Sequence, residues 1–206
     1  MPHPPTSHER ASGRSWDASY QDQNPAPWDI GRPQDAFVRV AAEGGIVGTT
    51  LDAGCGTGEH ALLAASLGLP VLGVDVAATA IELARAKAAD RGLDAEFAVA
   101  DAFELNRLQR RFETVLDCGL FHTCDEAERP RYVASVASAT EPGGTLYVLC
   151  FSDRAPAIGP HPVPADELRA AFDRSAGWDI VDLEADRIQT TFMDAVPAWF
   201  ATIKRL

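Results

Sequence analysis

Several apolar runs in this sequence end in glycine or carboxylate residues, the residue types that bind ligands at strand ends in α/β proteins. The first of these ends is a loop with three glycines, Gly54, Gly56 and Gly58. Glycine lets a loop turn tightly and lets a ligand approach the backbone without meeting a Cβ atom. Asp52 and Glu59 flank the loop and make it acidic. The loop therefore predicts a ligand that carries positive charge.

Two further carboxylates follow the next apolar runs. Asp75 comes after Val71–Val74, and Asp101 comes after Ala95–Ala100. A carboxylate in the position of Asp75 can accept hydrogen bonds from both hydroxyl groups of a ribose, and one at Asp101 can accept from an adenine amino group. Asp101 by itself could equally cap a helix. In series with the glycine loop, the two carboxylates predict a nucleoside ligand.

Two nucleoside ligands compete for this pattern, a nicotinamide dinucleotide and S-adenosylmethionine. Gly56–Ala61 matches the dinucleotide fingerprint GxGxxG/A. That fingerprint seats a pyrophosphate dianion at a helix N-terminus, beside which the carboxylates of Asp52 and Glu59 have the wrong charge. S-adenosylmethionine has no phosphate and carries a positive sulfonium and an ammonium group. Charge therefore favours S-adenosylmethionine, and a nicotinamide-dependent oxidoreductase is the weaker alternative.

The elements that must position these residues alternate between helix and strand from Pro33 onward. Helical spacing and helix-ending glycines predict helices at 35–43, 59–67, 78–91, 125–140 and 164–175. Apolar runs predict strands at 49–53, 71–74, 95–100, 114–118, 144–151, 178–184 and 199–203. The alternation predicts an α/β fold whose parallel sheet is covered by helices on both faces. The last two strands have no helix between them, so one of them is expected to run antiparallel at a sheet edge.

In order along the chain, the segments LDAGCGTGEHA, GVD, ADAF, VLDCGLFH and EPGGTLYVL resemble the class I S-adenosylmethionine-dependent methyltransferases over roughly residues 35–206. The resemblance implies a Rossmann-like, seven-stranded, mostly parallel sheet whose last strand is antiparallel. It also implies a role for each ligand-binding segment. The methionine end would be held by Asp52, Gly54, Gly56 and Gly58, the ribose by Asp75, and the adenine by Asp101 with Ala102. The expected cofactor site further includes Cys55, Val76 and Cys118.

The segment Asn24–Pro33 contains a Pro-Trp-Asp-x-Gly-Arg run that is similar to the thiopurine, thiol and halide methyltransferase group. In that group the tryptophan segment covers the methionine part of the cofactor. The resemblance therefore implies that Trp28 approaches the sulfonium, a cation–π contact worth ~1–2 kcal/mol when desolvated. The alternative is that Trp28 only attaches the N-terminal segment to the sheet. Some bacterial members with this run methylate heterocycles or phenols, which leaves the acceptor open.

The acceptor decides whether the enzyme needs a base. A thiol, hydrosulfide or halide acceptor needs none at pH 7, and transfer to such an acceptor by in-line displacement is the leading prediction. The alternative is an O- or N-methyltransferase of a phenol or heterocycle, for which His122 is the candidate general base and Asp117 the other titratable group. A third hypothesis is a non-catalytic S-adenosylmethionine-binding protein. The acceptor pocket is expected to be lined by Trp16, Tyr20, Phe121 and His122.

Composition limits the partners. The chain has 206 residues and a net charge of −12, which argues against nucleic acid and membrane partners and favours a small-molecule acceptor. Residues 1–24 are predicted to be a flexible tail and 25–206 a single methyltransferase domain. No CxxC pair or metal-ligand spacing occurs, so we expect no metal, and reduced thiols in a cytoplasmic protein. Without heptads or a long apolar patch, a monomer is expected. The product would be S-adenosylhomocysteine.

Overall fold

The computed structural model describes residues 4–22, 26–156, 161–193 and 195–206. The helices are α1 (Ser7–Ser12), α2 (Trp16–Tyr20), α3 (Asp35–Ala42), α4 (Glu59–Ser66), α5 (Ala78–Arg91), α6 (Arg129–Ala139) and α7 (Ala165–Ala171). The strands are β1 (Thr50–Ala53), β2 (Val71–Asp75), β3 (Glu96–Val99), β4 (Phe112–Cys118), β5 (Thr140–Phe151), β6 (Trp178–Ile188) and β7 (Val196–Arg205). Short 3₁₀ helices follow β3 at Ala102–Leu108 and β4 at Phe121–Thr123.

The strands form one sheet in the order β3-β2-β1-β4-β5-β7-β6. Strands β1 to β5 are parallel, and β7 runs antiparallel to both of its neighbours. This topology confirms the predicted Rossmann-like sheet with an antiparallel last strand. The carboxyl ends of β1, β2, β3 and β4 therefore meet at one edge of the sheet, where ligands bind in this class of fold.

The predicted position of the antiparallel strand is wrong. β7 lies inside the sheet, between β5 and β6, and the edge strand β6 is parallel to β1–β5. Burial explains the order, because Phe200, Ala201 and Ile203 of β7 are buried, whereas most of β6 is exposed or half-buried. The more apolar strand of the hairpin therefore takes the inner place.

The core lies on both faces of the sheet. Along β5, Leu146 and Val148 face the cluster beneath α6 and α7, while Tyr147 and Leu149 face the cluster beneath α3, α4 and α5. This alternation explains why the predicted strand at 144–151 is a continuous apolar run, since both faces of the strand are buried.

The N-terminal segment forms the helices α1 and α2, which pack on the domain. The Ser7 N–H donates to Glu128 Oε1 at 2.7 Å, and the Thr79 N–H donates to Asp17 Oδ1 at 2.8 Å. The predicted boundary between residues 24 and 25 lies outside the described residues. The flexibility of this segment in solution and the division into tail and domain stay predictions. In the described part of the chain, no helix has the length and apolar character needed to cross a membrane.

Candidate active site

A cavity of about 420 Å³ opens at the carboxyl ends of the strands. Most residues predicted for the cofactor line it, namely Trp28, Gly54, Cys55, Gly56, Asp75, Val76, Asp101, Ala102 and Cys118. Three of the predicted pocket residues also line it, namely Trp16, Tyr20 and His122. The fold thus brings residues from the whole length of the sequence to one cavity, because parallel strands end together at one edge of the sheet.

The glycine loop follows β1 and leaves little room for side chains. Gly54 and Gly56 have φ angles of 70° and 52°, in the left-handed region that favours glycine. A Cβ atom at Gly56 would lie 2.8 Å from the Tyr20 hydroxyl, and one at Gly54 would lie 3.0 Å from the Leu120 side chain. Both positions therefore need glycine for the backbone to form this wall of the cavity.

Gly58 allows a helix to pack closely on its neighbours. It lies at the start of α4, and a Cβ atom there would be 2.8 Å from the Phe97 ring and 2.9 Å from Ala84 Cβ. Gly58 does not line the cavity. Its missing side chain allows α4 to pack closely on β3 and α5, and its predicted contact with the cofactor stays a prediction.

Asp75 and Asp101 lie at the cavity wall and also hold its backbone. Asp75 Oδ2 accepts from the Gly56 N–H and its Oδ1 from the Ala77 N–H, each at 2.9 Å. Asp101 Oδ1 accepts from the Phe103 N–H at 2.8 Å. A carboxylate oxygen can accept more than one hydrogen bond, so both groups can also accept from a ligand.

Asp52 lies beneath the glycine loop and is not among the residues that line the cavity, and its predicted contact with the methionine end stays a prediction. Its side chain is buried, and Oδ2 accepts from the Ala61 N–H of α4 at 2.9 Å. Burial raises the pKa of Asp52 to about 7, with a further increase from the charges of Asp75 and Asp117. The carboxyl group therefore fixes α4 against β1.

Asp117 and Phe121 also point away from the cavity. Both are fully buried, and neither is among the residues that line the cavity. The Asp117 carboxylate accepts from the Tyr132 hydroxyl at 2.7 Å and from the Leu120 N–H at 2.8 Å, while Phe121 packs on Phe172. Burial raises the pKa of Asp117 to about 6, and the hydrogen bonds from Tyr132 and the backbone oppose the increase. Both side chains thus lie in the core, Asp117 near the end of β4 and Phe121 in the turn after it, and their predicted roles as a catalytic group and a pocket wall stay predictions.

His122 lines the cavity with only 5% of its surface exposed. Its ring stacks on Phe151 at 4.1 Å between centroids, and Nδ1 accepts from the Phe151 N–H at 3.0 Å. Burial lowers the pKa of His122 to about 3, and the neighbouring His8 and His161 lower it further. The imidazole is therefore neutral over the physiological pH range.

Three aromatic side chains cover the cavity from the N-terminal side. Trp28 Nε1 donates to the Tyr20 hydroxyl at 2.8 Å, and the Trp16 and Trp28 rings meet edge to face at 5.7 Å. Tyr20 lies against Gly56, so it covers the glycine loop rather than the far side of the cavity.

Asp29 connects the Trp28 segment to the glycine loop. The Thr57 hydroxyl donates to Asp29 Oδ2 at 2.8 Å, and Lys87 Nζ lies 3.8 Å from Asp29 Oδ1. Lys87 also donates to the Thr57 hydroxyl at 2.6 Å. The position of Trp28 over the cavity is therefore tied to the loop that forms the cavity wall.

Sequence reasoning missed several residues that line the cavity away from the glycine loop. They are His8, Phe103, Leu120, Phe151, Ile188 and Phe192. His8 lies in a segment predicted as a tail, and Phe192 lies between the last two strands with 59% of its surface exposed. Phe103 and Leu120 lie inside the segments ADAF and VLDCGLFH, which could have identified them, whereas the sequence around His8 and Phe192 has no such motif.

The two ends of the cavity differ in chemistry. The end near β1, β2 and β3 has a glycine cradle with the carboxylates of Asp75 and Asp101, which fits a cationic nucleoside such as S-adenosylmethionine. The other end has aromatic rings and the imidazole groups of His8 and His122. The arrangement can hold a charged donor beside a largely apolar acceptor.

Comparison with known proteins gives the same family. A profile of the family described as "Methyltransferase domain" matches residues 50–144. The 2-heptyl-1-hydroxyquinolin-4(1H)-one methyltransferase of Mycobacteroides abscessus is 37% identical over 183 residues, which cover 84% of this chain and 80% of that protein. Probable thiol methyltransferase 2 of Arabidopsis thaliana is 28% identical over 145 residues, covering 69% of this chain and 63% of that protein.

Among solved structures, one described as "Conversion of a Disulfide Bond into a Thioacetal Group during Echinomycin Biosynthesis" superposes with a TM-score of 0.80. It is 39% identical, and the match covers 92% of this chain and 88% of that one. Fold, cavity and sequence agree: the chain belongs to the class I S-adenosylmethionine-dependent methyltransferases that act on small molecules.

Proposed function

We propose that the protein methylates an oxygen or sulfur atom on a small, largely apolar ring compound. The observation that carries this proposal is a cavity that combines a glycine loop and carboxylates with aromatic walls. Its wall includes aromatic rings from separate parts of the chain, among them Trp16, Phe151 and Phe192. Such walls bind a flat apolar molecule by contact area, and a small inorganic anion would leave most of that area unused.

The donor end would be organised by the strand-end residues. S-adenosylmethionine supplies a methyl group that is already activated by the positive sulfur. Asp75 would accept from the ribose hydroxyls, Asp101 and Ala102 would hold the adenine, and Gly54 and Gly56 would allow the methionine part to approach the backbone. Trp28 would cover the sulfonium and exclude water from it. The role of the protein is then to align acceptor atom, methyl carbon and sulfur.

Two relatives support acceptors of this kind. One is named as the methyltransferase of 2-heptyl-1-hydroxyquinolin-4(1H)-one, a compound that combines a flat ring system with an N-hydroxyl group. The other is named as a probable thiol methyltransferase, which favours sulfur as a second acceptor atom. A flat compound that presents either atom is compatible with the aromatic end of the cavity.

The test measures S-adenosylhomocysteine release with purified protein and S-adenosylmethionine. The acceptors would be matched pairs of bicyclic heteroaromatic compounds that carry either a hydroxyl or a thiol group at the same position, beside hydrosulfide, iodide and a no-acceptor control. We expect turnover with ring compounds at kcat/KM values at least tenfold above those for hydrosulfide and iodide. Turnover confined to the two inorganic anions would contradict the proposal. It would favour an enzyme that methylates hydrosulfide or halide ions.

A further inference from the structure

The hydrogen bond between His122 and Phe151 determines which ring nitrogen carries the proton. The Phe151 N–H can only donate, so Nδ1, at 3.0 Å, must be the unprotonated nitrogen that accepts. A neutral imidazole with a bare Nδ1 carries its hydrogen on Nε2. No described residue forms a hydrogen bond with Nε2. The nitrogen left for the cavity is therefore a donor.

A base in this position would need to take up a proton, and the surroundings of His122 oppose that. Protonation would place a hydrogen on Nδ1 directly against the Phe151 N–H, so two donors would face each other. In known catalytic histidines the second nitrogen usually donates to a carboxylate, which stabilises the imidazolium. Here the described groups that interact electrostatically with His122 are the imidazoles of His8 and His161, which disfavour added positive charge.

His60, on the wall of the same cavity, is occupied in the same way. Its Nε2 accepts from the Gln34 N–H at 3.1 Å, and its ring packs on Phe37 at 4.6 Å. The carboxylates of Asp75 and Asp101 lie at the donor end, away from the acceptor. His8 stacks on Trp16 at 4.7 Å. Among the imidazoles of the described cavity wall, it is the one whose ring nitrogens form no hydrogen bond with a described residue.

From this geometry we propose that His122 is a positioning residue that donates from Nε2–H to an acceptor atom which is already ionised when it binds. This inference rests on the proposed function and narrows its substrate class to ring compounds whose hydroxyl or thiol group is acidic. N-hydroxy heteroaromatics, heteroaromatic thiols and phenols with electron-withdrawing substituents belong to the class. Alcohols and unactivated phenols do not.

The chemical step balances without a base. The acceptor loses its proton to solvent before it enters the cavity. Its lone pair forms the new bond to the methyl carbon while the carbon–sulfur bond breaks, and that electron pair neutralises the sulfonium to a thioether. The negative charge of the acceptor disappears in the same step, so no proton has to move within the cavity.

The kinetic test uses acceptors that share one ring system and differ in the acidity of the reacting group. We expect the acidic limb of the kcat/KM–pH profile to shift with the pKa of each acceptor. His122→Phe, which keeps the stacking on Phe151 but removes both nitrogens, should lower kcat/KM about ten- to a hundredfold without moving that midpoint, as expected for a lost hydrogen bond to a charged group. His8→Gln should also leave the midpoint in place. A midpoint that is the same for all acceptors, or that disappears in either variant, would overturn the proposal.

A second readout does not depend on turnover. Nitrogen NMR of the protein labelled with ¹⁵N-histidine, assigned with His122→Phe, should show one bare and one protonated nitrogen in His122 from roughly pH 5 to pH 9. The bare nitrogen should couple to the Phe151 amide. A protonated Nδ1 or an imidazolium in this range would refute the inference even if ring compounds are methylated. If no ring compound is methylated, the proposed function fails, and the NMR result still decides the state of His122.

Discussion

At the scale of single residues, the carboxylates near the cavity have different surroundings. The Asp75 carboxylate lies at the cavity wall and holds the backbone of the glycine loop through Gly56. The Asp52 carboxyl group is buried beneath that loop and contacts α4. Loss of the charge at Asp75 should therefore affect the ligand directly, whereas a change at Asp52 should act first on the packing of α4.

Asp75→Asn should weaken binding of S-adenosylhomocysteine at least tenfold, which is about 1.4 kcal/mol. The reason is that one of two acceptor oxygens for the ribose hydroxyls is replaced by an N–H donor. Calorimetric titration measures the change. Asp182→Asn, an equal change of charge at an exposed position of β6, is the matched control and should bind as the unmodified protein does. Equal affinities for the two variants would show that Asp75 does not contact the ligand.

At the scale of elements, α1 carries His8 to the cavity and is held by one buried carboxylate. Glu128 accepts from the Ser7 hydroxyl at 2.6 Å and from the Ser7 N–H at 2.7 Å. A helix of six residues has little stability of its own, so its position depends on such tertiary contacts. The geometry of the acceptor end therefore depends on a contact with the loop before α6.

Ser7→Ala should loosen α1, because it removes a hydrogen bond to a charged group, worth about 1.5–3 kcal/mol. Hydrogen exchange of the amides in α1 should become at least tenfold faster. Ser12→Ala is the matched control: the same substitution in the same helix, at a hydroxyl that bonds only the local backbone. A Ser7→Ala protein that exchanges as slowly as the control would contradict the proposed attachment.

At the scale of the whole molecule, buried titratable groups affect stability in opposite directions. Burial lowers the pKa of His60 to about 4 and of His122 to about 3, so both disfavour folding as the pH falls below about 6.5. Burial raises the pKa of Asp52 to about 7 and of Asp117 to about 6. The carboxyl groups therefore contribute stability at low pH that is lost as the pH rises towards these values. Between about pH 4 and pH 6 the effect of the two histidines on folding stability therefore partly cancels the effect of the two carboxyl groups.

His60→Gln should make the protein less sensitive to acid. Between pH 7 and pH 5 the unfolded chain binds a proton at His60 that the folded protein does not. This costs about 1–2 kcal/mol after allowance for the partial exposure of the ring. Glutamine keeps an acceptor for the Gln34 N–H but does not titrate. Urea unfolding should show a smaller loss of stability for the variant over this range, with measurements at pH 8 as the reference. An identical loss in both proteins would mean that His60 titrates normally when folded.

Much of the donor end could be predicted from the sequence, and little of the acceptor end. Asp75 and Asp101 follow apolar strands directly, and parallel strands bring their ends together whatever the details of packing. The strand pattern does not determine whether a side chain points into the cavity or into the core, so the burial of the Asp52 and Asp117 carboxyl groups could not be predicted from it. The acceptor end depends on separate segments that meet only after folding, such as α1 with His8 and the loop with Phe192, and these have no local pattern.

The inner position of β7 has a consequence for motion. β6 joins the sheet only through β7, and β7 is held to β5 by pairs such as Thr145 with Lys204, 59 residues apart in sequence. We therefore expect the β6–β7 hairpin to open as one unit in partial unfolding, since its own contacts are local and its attachment is long-range. Ile188, at the end of β6, and Phe192, in the loop that follows, line the cavity. Partial unfolding of that unit would expose the acceptor end while β1, β2 and β3 still held the donor end together.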